Sequence, residues 1–215
     1  MSKREQKQRE FENSGFSFTP EFFQIIKDEV IEEDCNNNCS ILSAFINKNP
    51  LNNNLSDVYA KVAMINCMTP SNVRREDLFA IANVIYKFQD FDRKLQNRDL
   101  GLVEELNSLV QKTIGRSQIA FCSKYIVFHE CFLSNMKSQE YSICDNVIRV
   151  FLMKYIAKKH ITKENGKKYN LNNYSDVYDL IGRILSDIWR SGNGLNKENF
   201  GRKDFDVYIW GLYRK

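Results

Sequence analysis

The sequence is poor in the residues that interrupt helices and strands. Only nine Gly and three Pro occur in 215 residues. A many-stranded β-sandwich needs turn residues at short intervals, so their scarcity favours helices joined by short polar loops. A hydrophobic content of 43% is enough for one sizeable core. We predict an all-α protein, with a flexible charged arm over residues 1–13 and one compact multi-helix domain over residues 14–215.

Long apolar runs are also missing. No segment approaches the roughly 20 apolar residues that a membrane-spanning helix needs, so we expect no membrane partner. No signal peptide opens the chain, and the six cysteines then fit the reduced thiols of a cytoplasmic protein. We expect a cytoplasmic monomer.

The motifs of the common cofactor sites are absent. No glycine-rich nucleotide-binding loop and no metalloprotease motif occurs. Cys35 and Cys39 offer only two metal ligands, and both histidines lie far from them in sequence. No set of four cysteines follows Cys144, as an iron–sulfur cluster would need. We expect no cofactor and no metal.

Positive charge is concentrated near the C-terminus. The chain carries a net charge of +4, but residues 149–215 contain 14 Lys and Arg against 7 Asp and Glu. This third of the chain is therefore the better candidate for contact with a polyanion. An ordinary solvated surface would explain the same charges equally well.

The pattern of residues 117–160 predicts two helices joined by a loop. Lys124 lies in the first helix, where a solvated lysine is unexpected because its neighbours are apolar: Ile119, Ala120, Tyr125, Ile126 and Phe128. Asp145 stands at the start of the second helix, whose apolar residues recur with a period near 3.6. An aspartate in that position can also be a simple helix cap.

A helical lysine followed 21 residues later by an aspartate at a helix start resembles the catalytic segment of the helix-hairpin-helix DNA glycosylases. The branch that removes 8-oxoguanine is the most similar in pattern, and the resemblance covers about residues 55–160. It implies the helix-hairpin-helix glycosylase fold, with Lys124 attacking the sugar C1′ and Asp145 assisting departure of the base. The family's glycine-rich hairpin is not evident, since only Gly115 precedes the lysine.

The same resemblance implies further site residues. Contacts with DNA are expected from Asn66, Met68, Arg116, Ser117 and Arg149. Aromatic walls for an extruded base are expected from Phe121, Tyr125, Phe128 and Trp189. Plainer roles compete with these: Met68 as core, Arg149 as an ion-pair partner of Asp145, and His129 as a buried histidine with satisfied nitrogens.

We therefore predict a DNA glycosylase that acts on double-stranded DNA and removes a damaged or modified base. A lysine nucleophile leaves an imine to the sugar, and this intermediate permits strand cleavage by AP-lyase chemistry. A modified phage base, removed in a defence role, is one candidate substrate. The alternative is a helical module that binds nucleic acid or protein without catalysis, in which Asp145 is only a cap and Lys124 holds its amine at the edge of the core.

Overall fold

The computed structural model describes residues 3–34, 38–69, 73–133 and 140–213. These residues form α-helices and one 3-10 turn, with no β-strand among them, so the prediction of an all-α protein is confirmed. In chain order the helices are α1 (Lys3–Asn13), α2 (Pro20–Asp34), α3 (Asn38–Lys48), α4 (Leu55–Met68), α5 (Leu78–Lys87), α6 (Phe91–Gln96), α7 (Leu102–Ile114), α8 (Ile119–Leu133), α9 (Asn146–Lys159), α10 (Tyr174–Arg190) and α11 (Arg202–Tyr213).

The chain divides into two compact units. The central unit comprises residues 36–145, and the terminal unit comprises residues 1–35 together with residues 146–215. The terminal unit is thus assembled from both ends of the sequence. The prediction of one domain over residues 14–215 stays a prediction.

In the central unit, α8 is the helix around which the others pack. It contacts α3, α4 and α7, and twelve of its fifteen residues are buried. A helix surrounded in this way has apolar residues on all sides, which accounts for its sequence. Within the described chain, no helix is long and apolar enough to cross a membrane.

The ends of α4 and α7 are fixed by local chemistry. Asn54 caps α4, because its side chain accepts hydrogen bonds from the backbone N–H groups of Ser56 and Asp57. Gly115 ends α7 in the left-handed conformation at φ 76°, where a side chain would be strained.

The terminal unit is built on a cluster of aromatic rings. Phe11 of α1 is 2% exposed and lies within 5.5 Å, centroid to centroid, of Phe16, Phe18 and Tyr208. Glu12 adds polar contacts, since it pairs with Lys154 at 2.7 Å and accepts a hydrogen bond from the Tyr213 hydroxyl. Residues 3–13 are therefore a packed helix where the sequence predicted a flexible arm. The difference comes from Phe11, the single large apolar residue of that segment.

Candidate active site

Lys124 is a buried lysine on α8. Its side chain is 4% exposed, although an isolated ammonium group is costly to remove from water. Phe121 and Phe128 lie three residues before and four residues after it, on the same side of the helix. The lysine thus stands in an apolar stripe and needs a polar partner.

Asp145 is that partner. Its Oδ2 lies 3.0 Å from the Nζ of Lys124, and its side chain is 7% exposed. The two predicted catalytic residues are therefore brought together as a buried ion pair. Removing one member of such a pair typically costs about 3–5 kcal/mol, because the other is left as an uncompensated buried charge.

Ser123 helps to position the pair. It is fully buried, and its Oγ accepts a hydrogen bond at 3.0 Å from the backbone N–H of Cys144. This contact holds the residue before Asp145 against the residue before Lys124. Sequence reasoning missed Ser123, because a serine inside an apolar helix carries no signal for a contact 21 residues away. The helix-cap role of Asp145 stays a prediction.

The pair can do acid–base and nucleophilic chemistry. A carboxylate at 3.0 Å can accept a proton from the ammonium group, which leaves a free amine that can attack carbon. Both groups are nearly closed to solvent in this conformation. Any substrate has to gain access through an opening of the surface around them.

The residues predicted to contact DNA in the central unit make contacts within the protein. Asn66, at the end of α4, donates a hydrogen bond to the backbone oxygen of Val73 at 3.4 Å, and Met68 is half-buried. Residues 70–72, which follow this helix, lie outside the described residues. Arg116 forms an ion pair with Asp77, and the exposed Ser117 donates a hydrogen bond to Asn107. Their DNA contacts stay predictions.

The predicted base-pocket residues do not all lie in one unit. Phe121 and Tyr125 are 0% exposed, and the half-buried Phe128 stacks on Phe132. Trp189 belongs to the terminal unit, where its Nε1 donates a hydrogen bond to the backbone oxygen of Phe200 at 2.9 Å. Arg149 also lies in the terminal unit and donates to Asn172 at 3.4 Å.

A second buried lysine, Lys61 of α4, was not predicted as a site residue. Its side chain is 0% exposed, and its Nζ donates to the backbone oxygen of Leu51 at 2.9 Å and to Oδ1 of Asn52 at 3.3 Å. Burial lowers the pKa of Lys61 to about 8, against the attraction of Asp92 and Asp57. The sequence held a signal for it, since Lys61 lies within the apolar pattern of α4 as Lys124 does in that of α8.

Asn52 is the centre of this buried network. Its backbone N–H and its Nδ2 donate to the carboxylate of Asp92, at 2.9 and 2.6 Å. The Tyr125 hydroxyl donates to Asn52 Oδ1 at 2.6 Å. Burial, with the nearby Asp92, raises the pKa of Tyr125 well above its usual value. Tyr125 is therefore a hydrogen-bonded core residue in this conformation.

His129 lies beside the network and is 0% exposed. Its Nδ1 is 3.1 Å from the backbone oxygen of Tyr125, which can only accept, so Nδ1 carries the proton. Its Nε2 is buried and has no hydrogen-bond partner among the described residues. Burial, together with the charge of Lys61, lowers the pKa of His129 to about 3. The expectation of a histidine with both nitrogens satisfied was therefore wrong at Nε2.

A cleft of about 520 Å³ opens on the central unit near this network. Neither Lys124 nor Asp145 lines it. Its lining residues are Pro50, Leu51, Asp92, Leu95, Gln96, Arg98, Glu130 and Leu133. Glu130 accepts hydrogen bonds from the backbone N–H groups of Glu140 and Tyr141, so its carboxylate serves to hold the chain there.

No metal site is formed by the residues described. Among them, no group of three or more His, Cys, Asp or Glu side chains lies close enough to hold an ion. Cys35 and the side chain of Cys39 lie outside the described residues. Cys67, Cys122, Cys131 and Cys144 are free thiols.

Comparison with known proteins identifies a family. An uncharacterized protein from Haemophilus influenzae is 26% identical over 162 residues, which cover 74% of this chain and 69% of that protein. No solved structure matches. The model of the HI_0787_N N-terminal domain matches residues 23–138, which include Lys124 and end before Asp145. Because the match covers more than half of the sequence, the chain belongs to the HI_0787_N N-terminal domain family.

Proposed function

We propose that the protein is a DNA glycosylase with AP-lyase activity, in which Lys124 is the nucleophile and Asp145 its carboxylate partner. The observation that supports the proposal is the buried ion pair, with Nζ and Oδ2 at 3.0 Å. The resemblance to the glycosylases implies these two residues, and they lie in direct contact. The proposal includes the helix-hairpin-helix glycosylase fold, with the short connection between α7 and α8 around Gly115 in the place of the hairpin.

The chemistry requires few groups. Asp145 accepts a proton from Lys124, and the amine attacks C1′ as the bond to the base breaks. The departing base keeps that electron pair and takes up a proton. Ring opening gives an imine between Nζ and C1′, and loss of a C2′ proton then expels the 3′ phosphate by β-elimination. Hydrolysis of the imine restores the amine of Lys124.

The base has to leave the duplex to reach Lys124, which costs a few kcal/mol. A mismatched or damaged base costs least to extrude, because it pairs poorly. A modified phage base is also among the proposed substrates. Under this proposal Asn66, Met68, Arg116, Ser117 and Arg149 contact the DNA, and Phe121, Tyr125 and Phe128 of the central unit receive the base after the surface over Lys124 opens.

Borohydride trapping tests the proposal directly. Borohydride reduces an imine to a stable amine, so an active protein becomes covalently attached to the DNA. Duplexes that carry 8-oxoguanine, uracil or an abasic site, and natural modified phage DNA, form the substrate panel. We expect an adduct with the wild-type protein and none with Lys124→Gln, whose amide cannot form an imine, with the fold of the variant checked by circular dichroism.

Lys61→Gln is the matched control, because it removes the other buried lysine of the same unit. The Lys61→Gln protein should still form the covalent adduct with DNA. Trapping that survives Lys124→Gln and disappears in Lys61→Gln would assign the chemistry to Lys61. No adduct and no released base on any substrate would reject the glycosylase proposal.

The second candidate is a non-catalytic helical module that binds nucleic acid or protein. The observation that favours it is the exposure of only 4% and 7% for the two side chains, since an ion pair this buried can serve the fold alone. Under this candidate the wild-type protein binds DNA with steep salt dependence and releases no base. A protein that binds no nucleic acid would have a protein partner.

A further inference from the structure

Residues 158–168 of the terminal unit, which comprise the last two residues of α9 and the loop after it, are rich in lysine and are termed the basic loop below. It contains five lysines and one glutamate. Lys163 is paired with Asp176 at 2.5 Å. The other four lysines are exposed, and no ion pair joins them to a carboxylate of the described chain: Lys158, Lys159, Lys167 and Lys168.

Several other cations of the terminal unit are engaged with neighbouring groups. Lys154 pairs with Glu12, and Arg190 lies 3.7 Å from Asp187. The guanidinium of Arg202 stacks on the Tyr178 ring at 3.6 Å. Arg9, Lys197 and Lys203 also form no ion pair with the described residues, but they are spread from residue 9 to residue 203, whereas the basic loop has four such lysines within eleven residues.

The basic loop has a defined shape. His160 ends α9 at φ 52°, and the backbone N–H of Ile161 donates back to Ile156. The backbone N–H of Lys163 donates to the oxygen of Lys167 at 2.9 Å, which turns the chain back on itself. Arg183 then fixes the turn by donating to the backbone oxygen of Thr162 at 2.9 Å. A loop held in this way loses little conformational entropy when it binds.

The charge of the basic loop favours a partner that carries many negative charges and that is dissolved in water, not part of a membrane. Among the large apolar side chains of residues 146–213, a part of the chain that is fully described, only Met153 of α9 is exposed. A membrane-binding surface of the amphipathic kind inserts several apolar groups below the headgroups, and a single methionine does not provide them. The phosphate backbone of DNA needs only well-placed cations, each of which releases condensed counterions.

We propose that the basic loop is a DNA-binding surface that contacts phosphates through Lys158, Lys159, Lys167 and Lys168. The inference rests on DNA as the substrate of the proposed function. It adds the part of the molecule that supplies sequence-independent affinity. The charge pattern of the sequence favoured the whole of residues 149–215 for contact with a polyanion, and this proposal restricts the contact to residues 158–168.

The test measures binding without chemistry. Fluorescence anisotropy gives the Kd of an unmodified fluorescein-labelled duplex between about 50 and 200 mM KCl. We expect the quadruple variant Lys158→Gln, Lys159→Gln, Lys167→Gln and Lys168→Gln to flatten the plot of log affinity against log salt by about 3.6, or 0.9 per lost phosphate contact. A control variant removes four positive charges elsewhere in the same unit: Arg9→Gln, Arg190→Gln, Lys197→Gln and Lys203→Gln.

The control should retain most of the wild-type slope. Equal losses in the two variants, or a wild-type slope in the basic-loop variant, would overturn the inference. Vesicles of phosphatidylserine and phosphatidylcholine form a second arm, and lysine-dependent binding to them without DNA binding would assign the loop to membranes. Because base release is measured separately, a protein that binds DNA through the loop but releases no base refutes only the glycosylase proposal. One that releases base while the slope stays unchanged refutes only the basic loop.

Discussion

The Nζ of Lys61 lies 2.9 Å from the backbone oxygen of Leu51, and the lysine side chain is completely buried. Lys124, which is also buried in the central unit, instead has a carboxylate at 3.0 Å. These two buried amines thus have different partners, a neutral one for Lys61 and a charged one for Lys124. Their responses to mutation and to pH should differ accordingly.

The Lys124–Asp145 pair should show strong coupling in a double-mutant cycle. We expect Lys124→Met or Asp145→Leu alone to cost about 3–5 kcal/mol, because each leaves one buried charge uncompensated. The double variant should recover most of that loss, since two apolar side chains can replace a buried pair. Urea unfolding of all four proteins measures the cycle. Additive losses would show that the two residues act separately.

Asp145→Asn separates the ion pair from a helix cap. Asparagine caps a helix about as well as aspartate, so a pure cap should lose little stability. Because the amide cannot neutralise Lys124, we expect a loss of about 3 kcal/mol, or on the order of 10 °C in Tm. Differential scanning calorimetry measures the change. A wild-type Tm would contradict the ion pair as a source of stability.

Lys61 should make the protein more stable as the pH rises above 8. Its pKa is about 8 in the folded protein and 10.5 as the reference value, so between these limits the unfolded chain binds more protons. Stability then increases with pH, by up to about 3 kcal/mol for this residue. The measurement is the free energy of unfolding of the wild-type protein minus that of Lys61→Met, at pH 7.5 and pH 10. If the difference in the free energy of unfolding is the same at both pH values, the pKa of Lys61 is not lowered in the folded protein.

His129 should make the stability of the protein depend on pH in the acid range. Its pKa is about 3 in the folded protein against 6.5 for the reference, so its contribution is fully present above pH 6.5 and is lost as the pH falls toward 3. We expect wild type to lose on the order of 4 kcal/mol relative to His129→Phe across that window. Urea unfolding of both proteins at pH 6.5 and pH 4 follows the loss. An NMR titration that finds the imidazole protonated at pH 5 would contradict this account.

Asn52 should be far more sensitive to substitution than its neighbour Asn54. Asn52→Ala removes three side-chain hydrogen bonds together, those of Asn52 with Asp92, Tyr125 and Lys61. We expect the free energy of unfolding to fall by about 3 kcal/mol or more. Asn54→Ala removes only a helix cap, which typically contributes about 1 kcal/mol. Chemical denaturation of the two variants compares them. Equal losses would mean that the buried network contributes no more than a cap.

Local signals in the sequence predicted much of the fold. A threonine followed by a proline is a pattern typical of a helix start. The structure begins α2 at Pro20, and Thr19 Oγ1 accepts a hydrogen bond from the backbone N–H of Phe22. The spacing that singled out Lys124 and Asp145 also found two residues that touch. In both cases the signal lies within one or two adjacent elements.

What the sequence could not predict depends on contacts between distant segments. Lys61 is satisfied by Asn52 in the preceding loop, and Asn52 is held by Asp92, which is 40 residues further along. No periodicity connects such residues. The same holds for Phe11, whose burial depends on Tyr208 and other rings contributed by the far end of the chain.

The terminal unit is made of two separate segments of the chain, and this affects the order in which the units fold during translation. Residues 36–145 are synthesised before α9, α10 and α11, so the central unit can fold while α1 and α2 still lack the helices they pack against. The aromatic face of α1 and α2 then stays exposed until the last helix emerges. If translation stalls after residue 145, the central unit should be folded while the aromatic side chains of α1 and α2 are exposed to solvent. Chaperones that bind exposed apolar surface should recognise this form.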